Sequence, residues 1–342
     1  MSVKGILLVG GKGTRLMPLT KNTPKPMLEV AGVPFTAHQL AKAKAAGITE
    51  IALATSYMAE VFQPYFGDGS KLGMKLHYAV ETEALGTGGA IKNASKVLNL
   101  QPGDSVVIFN GDVLSGHDLT SQINFHKNSK AAVTLFLTEV ADARAFGCVP
   151  LDDDKNVLAF LEKMDSPVTN LINAGCYIFD SSVFEMIPAE IVISVERETF
   201  PDLLKRGLTV KGYVDQSYWL DIGTPAALVT ASQDLISKKL QSPATPENDG
   251  KALIAPDATL GKSTKIAGGS VISKGVVIGE NCEIIGSIIS ADTQISANSL
   301  ISNSILGRAV TVGQSAQIIG SAVADWEKIA EKTVLRPEIS LF

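Results

Sequence analysis

The chain has 342 residues, 45% hydrophobic and 19% charged, with 30 Lys and Arg against 35 Asp and Glu for a formal net charge of −5. This length predicts two domains, and the composition excludes a disordered chain or a small disulfide-stapled module. Without a positive excess, a nucleic-acid binder that works by phosphate neutralisation is not expected.

Alternating apolar strands and helical stretches run from Gly5 to about Val229. Strands are predicted at Gly5 to Val9, Ile51 to Ala54, Lys75 to Tyr78, Ser105 to Phe109, Ala132 to Thr138 and Cys176 to Phe179, with helices such as Pro34 to Ala46 and Gly89 to Leu98 between them. That order implies an open, mostly parallel α/β sheet with ligands at the carboxyl ends of its strands. The ends of interest are Gly10 to Arg15, Thr55 to Tyr57 and Asn110 to Asp112. The three cysteines, Cys148, Cys176 and Cys282, are widely spaced and predict buried, reduced thiols. No apolar run reaches the ~18 residues of a membrane span, so a soluble cytoplasmic protein is expected.

The texture changes after Lys238. The stretch 241–251 reads as a linker between a domain over 1–240 and a second over 252–342. Beyond it Ile254, Leu260, Ile266, Ile272, Ile278 and Ile284 recur every six residues. The phase slips by one at Ile289 and Ile295, holds at Ile301, slips again at Leu306 and continues through Val312 and Ile318. Six-residue steps predict a β-helix of about four three-sided coils, each aliphatic residue pointing inward. A polar, helix-like tail is expected from Asp325 to Lys332.

The glycine-rich run from Leu8 to Thr20 follows the first strand, where backbone N–H groups can wrap a phosphate chain. It fits neither the Walker A spacing nor the dinucleotide fingerprint. Read with Pro24-Lys-Pro-Met27, however, it resembles the signature of the sugar-nucleotide pyrophosphorylases, nucleotidyltransferases that join a sugar 1-phosphate to a nucleoside triphosphate. Leu85-Gly-Thr-Gly-Gly-Ala90, Asn110-Gly-Asp112, Phe146-Gly147, Glu162-Lys163, Asn173-Ala-Gly175 and Trp219-Leu-Asp-Ile-Gly-Thr-Pro225 follow in that family's order. The repeat domain, Phe66-Gly-Asp-Gly-Ser70 and Ser194-Val-Glu-Arg-Glu198 bring it nearest to the mannose-1-phosphate guanylyltransferases of actinobacterial type. The resemblance implies a Rossmann-like domain with a mixed, mostly parallel sheet, then a left-handed parallel β-helix of hexapeptide repeats.

Nucleotidyl transfer brings a sugar-phosphate oxygen onto the α-phosphorus and expels pyrophosphate, so charge neutralisation and alignment are the main tasks. The nucleophile is already ionised and needs no base, which suits a chain with only four histidines. The resemblance implies Arg15 and Lys25 on the triphosphate, and Asp112 and Asp221 as ligands of Mg2+. It places Lys163 at the sugar phosphate and Gly147, Glu162, Asn173, Gly175 and Glu196 at the sugar. Val9, Gly10, Gly11, Gly13, Thr14, Gly86 and Thr87 are expected to bind nucleotide. Glu81 falls in the base-reading loop; an ionised carboxylate accepts from guanine N1–H and N2–H2 together, which points to GTP. Glu83 serves instead if the register is two residues off. Nothing local reads the sugar, so mannose 1-phosphate follows from the resemblance alone, with glucose or a manno-heptose, or another triphosphate, as alternatives. An acyltransferase needs a histidine near the coil, and none follows His126; a silent sensor of GDP-mannose would be expected to lack the charged set that this chain keeps. The flat aliphatic sides of the repeat domain predict a homo-oligomer, dimer or tetramer.

Overall fold

The computed structural model describes residues 2–162 and 164–337, apart from the side chain of Glu162. Two compact units emerge: the described residues up to Gly11 together with Lys42–Trp219, and Lys12–Ala41 together with the described residues from Leu220 onward.

The first unit is a mixed nine-stranded sheet with helices. Four strands lie parallel side by side, in the order Ser105–Asn110, Val3–Leu8, Glu50–Thr55, Lys75–Val80. Their runs of Val, Ile and Leu are what a strand covered on both faces requires. Leu171–Asp180 continues the sheet antiparallel to Ser105–Asn110 and also pairs with Val133–Glu139, to which Val210–Val214 adds in parallel. Ile6, Ile108, Leu135, Tyr177 and Phe179 form the core with Ile91 and Ala94 of the helix Gly86–Ser95. All six strands expected from the sequence are present, longer by one or more residues at most ends. Cys148, Cys176 and Cys282 are buried and free.

The second unit holds three five-stranded parallel sheets, an arrangement consistent with a left-handed β-helix. Ile272, Ile289, Leu306 and Val323 stack inward on one side; Ile278, Ile295 and Val312, and then Ile284, Ile301 and Ile318, do so on the other two. The first coil steps 18 residues and the later ones 17. The shortening falls at one corner, where Gly268 and Gly269 are followed one coil on by Gly286 alone, then Asn303 and Gly320, each at positive φ. Buried hydroxyls line that corner: Ser287 donates its N–H to Ser270 Oγ, Ser304 to Ser287 and Ser321 to Ser304. The one-residue shortening at this corner accounts for the phase slips, and the hydroxyl ladder satisfies the backbone there.

Two expectations are corrected here. The described residues form five coils, and Asp325 to Lys332 is no helical tail: Lys328–Ile329 pairs in parallel with Thr311–Val312. The segment is polar because only Ile329 of that short strand packs inward on the coil, while Trp326 and Lys332 sit at corners with φ near 60°. The stretch 241–251 packs within this unit: Ser242 Oγ bonds His38 Nδ1 at 2.7 Å. Leu253 closes over Gly32, where a Cβ would lie 2.3 Å from Leu253 Cδ2. No helix among the described residues is long and apolar enough to cross a membrane.

Candidate active site

In the first unit the four parallel strands end on one edge, and the expected nucleotide residues follow from those ends. Val9 donates its N–H to Ala54 O, and Glu81 donates its N–H to Thr55 O. A Cβ on Gly111 would lie 2.0 Å from Leu8 O, so only glycine lets the turn into Asp112 pass the first strand. A Cβ on Gly10 would stand 2.7 Å from the Ser56 hydroxyl oxygen. Gly11, at φ 106°, faces open space.

Glu81 is half-buried, whereas Glu83 is exposed. Its Oε2 accepts only a long bond from the Leu85 N–H, 3.4 Å, and its Oε1 is buried with no partner among the described residues. Burial pushes the carboxyl above its ordinary pKa, against a small opposing effect of the Leu85 amide. Thr55 Oγ1, on the neighbouring strand end, is also buried and unbonded. A buried, unsatisfied acceptor costs about 1–3 kcal/mol until something donates to it.

The glycines of Leu85-Gly-Thr-Gly-Gly-Ala90 serve packing. Gly88 donates its N–H to Ile193 O at 2.9 Å, and a Cβ on Gly86 or Gly89 would strike the backbone of Ile193 or Ile191 at 2.7 Å. Thr87, expected at the nucleotide, commits its hydroxyl to this junction. It accepts from the Val195 N–H and donates to Glu196 Oε2, both at 2.9 Å. Glu196 sits on a π-helical turn, Val195–Thr199, a distortion often found at functional sites.

That turn borders a cavity of about 240 Å³, which brings together the expected residues Gly147, Asn173 and Glu196 and adds Phe146, Phe160 and Arg197. Glu196 also accepts from Ser194 Oγ at 3.1 Å and, through Oε1, from Tyr177 OH at 3.2 Å. Asn173 Nδ2 in turn donates to Tyr177 OH at 3.0 Å. Burial and the Glu196 charge push the Tyr177 hydroxyl well above its usual pKa, so it remains a donor. A register shift between Asn173 and Tyr177, with Gly175 at φ 76° inside it, bends the strand and reaims Asn173. Lys163 lies outside the described residues, as does the side chain of Glu162; the Glu162 backbone pairs with Gly147.

In the second unit a single 3-10 turn, Thr14–Leu16, carries Thr14 and Arg15. Gly13, at φ 58°, lies so near Lys25 that its Cβ would approach Lys25 Cβ to 3.0 Å. Lys25 opens the turn Lys25–Met27 between two prolines. Asp221 ends the short strand Trp219–Asp221, half-buried. The Arg15 guanidinium rests against Gly223. A few residues after Lys25, the half-buried Glu29 opens a hairpin in which Glu29–Val30 pairs with Val33–Pro34; it accepts from Ser273 Oγ at 2.7 and 2.9 Å, fixing that hairpin to the β-helix.

The histidines are structural. Burial and then Lys42 lower His117 to about 3, and burial lowers His126 to about 4, so both stay neutral and hydrogen-bonded to Gln122 and Thr134 respectively. Tyr177, Arg197, Glu29 and Gly223 were not singled out from the sequence. A tyrosine in the otherwise apolar strand Cys176 to Phe179 was the available signal for the first; the others lay inside or beside quoted motifs without a role.

A mixed α/β sheet with glycine-tight strand ends, beside a cavity that gathers Asn173, Glu196 and Arg197 among apolar side chains, is an architecture suited to handling a nucleotide. Residues 4–238 match the family described as Nucleotidyl transferase, and the chain belongs to that family. Residues 248–341 match the GMPPB C-terminal domain. The chain is similar to the mannose-1-phosphate guanylyltransferase of Mycobacterium tuberculosis, 46% identical over 87% of this chain and 83% of that protein. It is 33% identical to mannose-1-phosphate guanylyltransferase 1 of Arabidopsis thaliana, over 88% and 85% of the two chains. Among solved structures it resembles HddC from Yersinia pseudotuberculosis complexed with GMP-PN, with a TM-score of 0.57, 29% identity and coverage of 68% and 98%.

Proposed function

We propose that this protein transfers GMP from GTP to mannose 1-phosphate, forming GDP-mannose and pyrophosphate. The sugar comes from the names of its relatives. The observation that carries the nucleotide is Glu81, whose buried Oε1 waits for a donor, as guanine would supply and as the GMP-PN-bound relative suggests.

A sugar-phosphate oxygen forms the new bond to the α-phosphorus while the bond to the bridging oxygen of pyrophosphate breaks; no proton need move. Arg15 presents two N–H groups to the charge that builds on the α- and β-phosphates, and Lys25 adds a point charge. Val9, Gly10, Gly11, Gly13, Thr14 and Gly86 line the nucleotide's path. Asn173 and Glu196 read sugar hydroxyls beside Gly147, Glu162 and Gly175, and Lys163 receives the sugar phosphate. Thr87 acts through Glu196.

Asp112 and Asp221 would hold Mg2+. Carboxylate oxygens suit this hard cation, which takes one or two of them and completes its shell with water and phosphate; no cluster of three or more His, Cys, Asp or Glu able to hold a metal occurs among the described residues. When bound, the cation offsets phosphate charge and orients the triphosphate. Buried free thiols support a reducing cytoplasmic setting, and the exposed Val277 and Ile285 on the β-helix support a homo-oligomer.

The test is pyrophosphate release from GTP, ATP, UTP and dTTP, each with mannose 1-phosphate or glucose 1-phosphate, with Mg2+ present or chelated. GTP with mannose 1-phosphate and Mg2+ is expected to lead by at least tenfold. A preference for UTP or dTTP, or for glucose 1-phosphate, would replace the assignment.

A further inference from the structure

Gly223 is buried, and its φ lies outside the left-handed region, so its backbone would accept any L-residue. What excludes a side chain is Arg15. A Cβ on Gly223 would stand 2.9 Å from Arg15 Nη2 and 3.0 Å from Cζ and Nη1. All three contacts are to the flat tip of the guanidinium, and no backbone atom is among them. At Gly111, by contrast, the added carbon meets the Leu8 carbonyl, and the fold itself forbids it.

Both partners are mounted rigidly. Ile222 is buried, and Thr224 caps the helix Pro225–Ile236 by accepting the Ala227 N–H at 3.2 Å. On the other side Leu16 is fully buried and donates its N–H to Gly13 O. Arg15 itself is exposed, so its long side chain would otherwise sample many rotamers. The bare peptide at Gly223 is the flat seat that restricts them.

We infer that Gly223 is a positioning residue: its missing side chain lets the Arg15 guanidinium lie flat on the peptide, in the orientation that meets the α- and β-phosphates. This rests on the proposed transfer reaction, in which Arg15 acts. Alanine at 223 pushes the guanidinium outward by a few tenths of an ångström or more, and misplacements on the order of 1 Å can cost ~100-fold in rate.

Steady-state kinetics with GTP, mannose 1-phosphate and Mg2+ on wild type, G223A, R15K and the double variant test the idea. G223A is expected to lower kcat about 10- to 100-fold, leave the KM for mannose 1-phosphate within about threefold, and keep the wild-type Tm. In the R15K background the same change should cost under about threefold, because the group it displaces is already altered. A G223A enzyme with normal kcat, or one equally impaired with and without Arg15, overturns the inference. So does a G223A protein that fails to fold, since backbone would then fill the space. An inactive wild type would instead remove the underlying reaction, and an unimpaired R15K enzyme would remove the role of Arg15 and the inference with it.

Discussion

Replacing Glu81 by Gln changes one atom and inverts its hydrogen-bonding sense. In the structure Oε1 is buried without a partner among the described residues and Oε2 holds only the 3.4 Å contact from Leu85, so most of the carboxylate's accepting capacity is unused there. Guanine N1–H and N2–H2 supply two donors to it. A hydrogen bond to a charged group contributes about 1.5–3 kcal/mol, and the amide turns one acceptor into a donor facing another donor. The expected loss in kcat/KM for GTP is therefore roughly 10- to 150-fold, while UTP, whose N3–H stands beside an acceptor, should lose less or gain. Burial has raised the Glu81 pKa, so protonation on the acid side should weaken GTP use as pH falls; that limb should vanish in Glu81→Gln. The assay is pyrophosphate release with both nucleotides across pH. Equal losses for GTP and UTP, or an unchanged acid limb, would refute the reasoning.

Asp112→Asn and Asp221→Asn should each lower kcat at least 100-fold at saturating Mg2+ and weaken Mg2+ binding measured by titration; near-normal rates in either variant would take that residue out of the metal shell. Thr87→Val strands the Val195 N–H and releases Glu196, at a cost of about 1–3 kcal/mol. It should raise the KM for mannose 1-phosphate more than that for GTP, and the opposite split would return Thr87 to the nucleotide. Glu50 lies at the far ends of the parallel strands. Desolvation opposes its charge, but hydrogen bonds from His77, Lys4 and Lys75 hold its pKa down to about 2. A depressed carboxyl stabilises the fold above its ordinary value near 4.5 and ceases to do so as pH falls toward 2. Solvent screening reduces the effect to about 1–2 kcal/mol. Glu50→Gln should therefore lower Tm at pH 7 and show a flatter Tm profile between pH 4.5 and 2; parallel profiles would contradict the pairing.

Much of the architecture was legible because it is periodic. Strands such as Ser105–Asn110 and the inward column Ile272, Ile289 and Leu306 announce themselves by spacing, since a buried position must be apolar wherever it recurs. The fifth coil was not, because Lys328–Ile329 is a two-residue strand whose solvent-facing neighbours look like a surface helix. In the site, motif residues such as Gly147, Asn173 and Glu196 converge on one cavity, whereas Gly223 and Glu29 act through contacts across long stretches of chain that no local pattern encodes. The run Leu85 to Ala90 was legible as a family motif with Gly86 and Thr87 at the nucleotide, but not that its missing side chains admit the backbone of Ile191 and Ile193.

The bond between Glu29 and Ser273 spans 244 positions of chain. Translation delivers the hairpin after Lys25 early and its anchor only when most of the polypeptide has been made. Contacts so distant form late, after the cost of closing the intervening loop is met. The hairpin next to Lys25, the lysine proposed to meet the triphosphate, thus gains its anchor only near the end of biogenesis.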